Sequence, residues 1–187
     1  MTQQNATHMP PMRSSDEANQ SQLQLAREQG LAFERAVKYM TQQEAHGDEI
    51  AAGDYRIGYA VEEAEGMYTV QDGRLVWQEP QAENAHVEVV VCDRADGRFI
   101  PGLTVYATLL DAHGQEIGTH QQPFLWHPWL YHYGRNWQVP GAGEYTLHIR
   151  VEPPQFPRHD KTNGQRYTQP VTATFSGVRI QPGQKRS

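Results

Sequence analysis

His86-Val87-Glu88-Val89-Val90-Val91-Cys92-Asp93 is the stretch that decides how this chain folds. Side chains along a strand alternate between its two faces, so Val87, Val89 and Val91 share one face. His86, Glu88 and Val90 share the other. The valine face predicts a core, and the opposite face sets an imidazole beside a carboxylate. Cys92 is the only cysteine, which excludes an internal disulfide. It reads as a small strand residue, with a soft metal ligand as the alternative.

Outward from that strand the pattern repeats. Downstream, Ala95-Asp96-Gly97 is a turn, and Leu103–Leu110 sends Leu103, Val105, Ala107 and Leu109 inward. Asp111-Ala112-His113-Gly114 turns into a short strand ending near Thr119. Pro140-Gly141-Ala142-Gly143 precedes the strand Glu144–Glu152, with Tyr145, Leu147, Ile149 and Val151 inward. The last strand, Tyr167–Ile180, changes parity at Ser176-Gly177, which predicts a bulge. Upstream, Tyr55–Val61, Met67–Val70 and Leu75–Trp77 read as strands, the last two joined by Gln71-Asp72-Gly73 as a hairpin. Seven or eight short strands with no βαβ alternation predict an all-β, antiparallel sandwich over residues 54–181.

Ahead of the sandwich the period is helical. Leu23, Ala26, Gly30, Phe33, Val37 and Met40 recur in steps of three and four, and Ser14 with Glu17 has capping-box spacing. An amphipathic helix over 14–47 follows, ended by His46-Gly47. Its stripe must be buried on the sandwich or on a second copy of the chain. Residues 1–13 read as a disordered tail and 182–187 as a solvated one.

Composition narrows the function. The 187 residues carry 16 Lys+Arg against 22 Asp+Glu, a formal charge of −6, which argues against nucleic acid or an anionic membrane as partner. No apolar run is long enough to insert in a membrane, and no signal peptide is visible at the start of the chain.

Pro123-Phe124-Leu125-Trp126-His127-Pro128-Trp129-Leu130-Tyr131-His132-Tyr133-Gly134 is aromatic, uncharged and contains two histidines. Such a stretch is a buried loop or a binding surface. His86, Glu88, His127, His132 and His159 together supply enough N and O donors for a first-row metal ion. Each also has a plainer reading, His86 as a polar-face residue and His127 as a packed one. His8, His46 and His113 lie in tail, cap and turn settings, His148 faces outward on its strand, and His120 is open to either reading.

Several of these stretches, in order, resemble one family. They are His86-Val87-Glu88, Phe99-Ile100-Pro101 with Leu103, His132-Tyr133-Gly134, Pro140–Leu147, Glu152-Pro153-Pro154, and Arg158-His159-Asp160 followed by Gly164. Over residues 85–175 the chain resembles bacterial periplasmic iron-transport accessory proteins, a ferrous-iron-transport family that binds copper and iron. The resemblance implies an immunoglobulin-like sandwich, a homodimer, and a copper or iron ion (zinc being possible) near the dimer contact. It implies His86, Glu88, His132 and His159 as ligands, a periplasmic or cell-envelope location, and a membrane iron permease as partner. One departure stands out. The family's methionine ligand falls at Leu125 or Phe124, neither of which can ligate, so His127 or His120 is the candidate replacement. A site without the thioether would suit Cu(II), Zn(II) or Fe(II) better than Cu(I). The N-terminal helix lies outside the family pattern.

Three functions are in play. The first is a non-catalytic metal-binding protein. The second is a metal-independent interaction or carbohydrate-binding module using the 123–134 aromatic loop. An enzyme comes third, because no nucleophile–base pair has recognisable spacing.

Overall fold

A computed structural model describes residues 8–185 of the chain. In order they form the helix α1 (Gln20–Tyr39), a π-helical turn (Met40–Glu44), and the strands β1 (His46–Ala52), β2 (Tyr55–Glu62), β3 (Met67–Gln71) and β4 (Arg74–Gln78). Next come β5 (Ala85–Asp93), β6 (Val105–Leu110), β7 (Glu116–Gln122), β8 (Phe124–Leu125), β9 (His132–Trp137), β10 (Gly143–Val151) and β11 (Val171–Ile180). One antiparallel sheet has the order β1-β2-β5-β9-β8 and a second β11-β10-β6-β7, while β3 and β4 form a separate hairpin. The result is the expected immunoglobulin-like sandwich with an N-terminal amphipathic helix.

The valine strand lies at the centre of the first sheet, and all nine of its residues are buried. Val87, Val89 and Val91 meet Val105, Ala107 and Leu109 of β6 and Leu147, Ile149 and Val151 of β10 between the sheets. Tyr133 points inward from β9; its hydroxyl donates to the Ile100 carbonyl (2.7 Å) and accepts from the Leu103 N–H (3.0 Å). Among the described residues, no helix is long and apolar enough to cross a membrane.

On the outer face of β5, Val90 and Cys92 form a second apolar cluster with Ala60, Leu130, and Val37 and Met40 of the helical segment. The later part of the helix stripe, Gly30, Val37 and Met40 with Phe33 partly buried beside them, is therefore packed on the sandwich within the chain. Gly30 makes this possible, since a Cβ there would lie 1.6 Å from the Asp96 carbonyl oxygen. Cys92 is a packed strand residue.

Four boundaries differ from the sequence expectation. The helix starts at Asn19, whose side chain and that of Gln22 form the capping box, rather than at Ser14. Ser15 is drawn away to Asp160 (2.7 Å), and Arg13 is hydrogen-bonded through its N–H to Asn163 (2.9 Å). Residues 8–13, expected in a disordered tail, are thus held against the later loop; residues 1–7 lie outside the described range. At the other end His46-Gly47 opens β1 instead of stopping the helix. A Cβ on Gly47 would lie 2.0 Å from the Tyr59 carbonyl oxygen, so this edge strand reads as a turn in sequence. The solvated tail is also partly ordered, with Gln184 bridging Ala64 and Lys185 ion-paired to Glu62; residues 186–187 are outside the described range. The bulge is where the parity change puts it, at Ser176-Gly177, with Gly177 at φ 69°.

Gly30→Ala is expected to cost about 1–3 kcal/mol of stability, the usual range for an overpacked contact. A lower urea midpoint at unchanged slope would show it, whereas an unchanged midpoint would mean that the helix does not seat on the Asp96 turn as described.

Candidate metal centre

Past the patch covered by the helix, the outer face of β5 presents His86 and Glu88. The register pairs His86 with Asn136 and Glu88 with Gly134, so Asn136, Gly134 and His132 share that face of β9. His132 Nε2 lies 3.4 Å from Glu88 Oε1. One donor atom from each of His86, Glu88 and His132 lies within 4.8 Å of the others. Gly134 leaves room for them, because a Cβ there would sit 3.0 Å from His86 Nε2 and 3.1 Å from the His132 ring.

Hydrogen bonding fixes which nitrogen of each ring faces the space. The Asn136 side chain is locked onto the backbone of Glu65: its Nδ2 donates to the Glu65 carbonyl (2.7 Å) and its Oδ1 accepts from the Glu65 N–H (3.3 Å). That Oδ1 also meets His86 Nδ1 at 2.8 Å, so Nδ1 must be the donor. His132 Nδ1 likewise donates to the Leu130 carbonyl (3.2 Å). Both Nε2 atoms then carry lone pairs. Both are buried, and neither has a hydrogen-bond partner. Burial pushes each imidazole down to about 4, so at neutral pH both are uncharged and able to ligate. Anchoring one ring nitrogen on a carbonyl while the other stays free is the usual support of a metal-bound histidine.

The remaining candidates separate. His127 is half-buried at the rim, its ring centroid 6.0 Å from that of His132 and 5.8 Å from Trp129. Leu125 pairs with His132 across β8 and β9, and its Cδ1 would lie 3.0 Å from a Cβ on Gly134, so it forms part of the wall. Phe124 instead stacks on Tyr131 (5.6 Å) near Phe99. His120 packs on Trp137, on the core side of β9. His159 is not brought to the group. Its side chain is 93% exposed and pairs with Glu17 at 2.9 Å. Its loop is anchored by Tyr167 on Asp93, at the far end of β5, about 17 Å along the strand from Glu88.

Three contributors were invisible in the sequence reading. Gly134 and Asn136 alternate with His132, a signal available only once 132–137 is recognised as a strand. Glu65, with Oε1 3.8 Å from His86 Nε2, sits in a connector and carries no pattern at all.

The sequence model of a family described as Fe2+ transport protein matches residues 47–179. No curated protein matches the chain. Among solved structures, FetP of uropathogenic Escherichia coli, expressed in the periplasm, is similar with a TM-score of 0.59 at 18% identity, covering 73% of this chain and 94% of that one. The copper-reconstituted P19 protein from Campylobacter jejuni has a TM-score of 0.59 at 17% identity, over 74% of this chain and 96% of its own. A copper-bound methionine-to-isoleucine variant of the Campylobacter protein reaches 0.58 at 16% identity, over 73% and 96%. At these identities the structures share the sandwich fold.

In the unfolded chain both imidazoles titrate near about 6.5. Between that pH and about 4 the unfolded state binds more protons than the folded one, so stability falls as pH falls. Metal-free protein is expected to lose on the order of 2 kcal/mol per ring by pH 5. Urea midpoints at pH 7 and 5 measure this; the slope should flatten in a His86→Gln, His132→Gln double variant, and a pH-independent wild-type midpoint would contradict the buried neutral rings.

Proposed function

Because the chain belongs to the Fe2+ transport protein family, we propose that it is a non-catalytic metal-binding protein of iron or copper uptake, with His86, Glu88 and His132 as the core ligands. One observation carries the reading: two buried Nε2 atoms converge beside a carboxylate and have no hydrogen-bond partner. Donors sharing one ion at about 2.1 Å each lie about 3 to 4 Å apart, and the 3.4 Å between His132 Nε2 and Glu88 Oε1 falls in that range. Leaving such atoms buried and unpaired costs stability that a bound cation returns.

The donors are imidazole and carboxylate, with hydrocarbon at Leu125, so the set favours Fe(II), Cu(II) or Zn(II) over Cu(I). His127 is placed to join from the rim. His159, exposed and remote within its own chain, is a ligand only when a second copy presents it, which links the full set to a homodimer. Phe124, Trp126, Trp129 and Tyr131, all exposed around the site, offer the apolar surface for that contact. A periplasmic location and a membrane iron permease as partner are what the family role suggests, and the similar FetP was recombinantly expressed in the periplasm of E. coli.

Dialysed wild-type protein is expected to hold about one divalent ion per chain, and His132→Ala to lose it. Undiminished affinity in His132→Ala would sink the ligand assignment. His159→Ala should weaken binding only at concentrations where the chain is dimeric, as read by titration across a dilution series.

A further inference from the structure

Glu65 lies in the connector after β2, and its Oε1 is 3.8 Å from the unpaired Nε2 of His86. We propose that Glu65 is a further ligand of the ion held by His86, Glu88 and His132, kept in place by Lys185 until the ion arrives. The proposal rests on the metal-binding reading above and deepens it.

Three observations carry it. The first is distance: Glu65 Oε1 lies 3.8 Å from His86 Nε2, within the about 3 to 4 Å that two donors to one first-row ion adopt, and from outside the three-residue group it reaches the ion on the His86 side. The second is support. Asn136 clamps the Glu65 backbone through both its N–H and its carbonyl, and the same Asn136 oxygen holds His86 Nδ1. One side chain thus sets the Glu65 backbone and the His86 imidazole in fixed relation, which places the Glu65 side chain beside the ring.

The third is charge. Lys185 Nζ lies 3.6 Å from Glu65 Oε2 and also pairs with Glu62. Its backbone N–H donates to the Ala64 carbonyl (2.8 Å), and the neighbouring Gly183 N–H donates to Asn84 (2.7 Å), so the C-terminal segment delivers this ammonium to a defined place. A cation is therefore already held on the outer oxygen, while the inner oxygen faces His86. Glu65 makes the donor set two imidazoles and two carboxylates, enough negative charge to match a dication. It supplies a hard oxygen where the chain has Leu125 in the wall, and so favours Zn(II) and Fe(II) over Cu(I).

The test titrates wild type, Glu65→Gln, Glu62→Gln and His132→Ala with Zn(II) against a competing chelator, and reads Cu(II) electron paramagnetic resonance of each variant; thermal unfolding verifies that each is folded. Glu65→Gln should lose about tenfold or more in Zn(II) affinity while keeping its stoichiometry. Its Cu(II) hyperfine coupling should also shift. Glu62→Gln shares the same Lys185 and reports the field alone, so it should lose less affinity than Glu65→Gln and leave the hyperfine coupling unchanged. Wild-type affinity in Glu65→Gln would overturn the assignment, as would equal losses in the two Glu variants, which would mark a field effect instead of coordination. Loss of binding in His132→Ala with Glu65→Gln unaffected leaves the core site standing and removes Glu65 alone. No Zn(II) binding by wild type overturns both.

Discussion

The centre of the molecule depends on the burial of β5 from both sides. A strand covered on one face shows water its other face, and polar side chains there stay solvated. Here the inner face is closed by the second sheet. Half of the outer face, Val90 and Cys92, is closed by Val37 and Met40 of the helical segment. The remaining half, His86 and Glu88, is buried too, with β2 on one side and β9 on the other. Placing those two residues on a central strand fixes their directions to the pleat of a packed sheet, which a loop could not do. The helix, which precedes the residues the family model matches, covers the apolar part of this face and stops short of the polar part.

Burial then sets the chemistry. A solvated imidazole near neutrality exchanges its proton with water and hydrogen-bonds freely. His86 and His132 are desolvated to 0% and 2% exposure, which disfavours the imidazolium. Asn136 and the Leu130 carbonyl take up the Nδ1 protons, so the lone pairs point into the group. The alternative, a protonated His132 forming a salt bridge with Glu88, requires a charge in a place where desolvation drives it out. Two neutral Nε2 atoms without hydrogen-bond partners thus lie beside the Glu88 carboxylate.

Much of the sandwich was legible in the sequence because its inner strands alternate strictly. The valine strand, Leu103–Leu109 and Tyr145–Val151 are buried where parity predicts. The misread segments are those whose side chains answer to neighbours outside their own strand. β1 is an edge strand with weak alternation, and its Gly47 is needed for close approach to Tyr59. β9 hides in an aromatic stretch, because Tyr133 and Trp137 serve the core while His132, Gly134 and Asn136 serve the site. At the centre, His86, Glu88 and His132 were visible as donor types; Glu65 was not, since its place depends on an asparagine 71 residues away.

The two ends of β5 are closed by opposite ends of the chain. Near Asp93, residues 8–19 lie against the loop carrying His159, through Arg13–Asn163 and Ser15–Asp160 contacts. Near His86, residues 183–185 lie against Ala64 and Asn84 and carry Lys185 to Glu62 and Glu65. The same strand therefore separates His86, Glu88 and His132 from His159. The three-residue donor group lies on the outer face of the first sheet, and Lys185 holds the outer oxygen of the neighbouring Glu65 carboxylate.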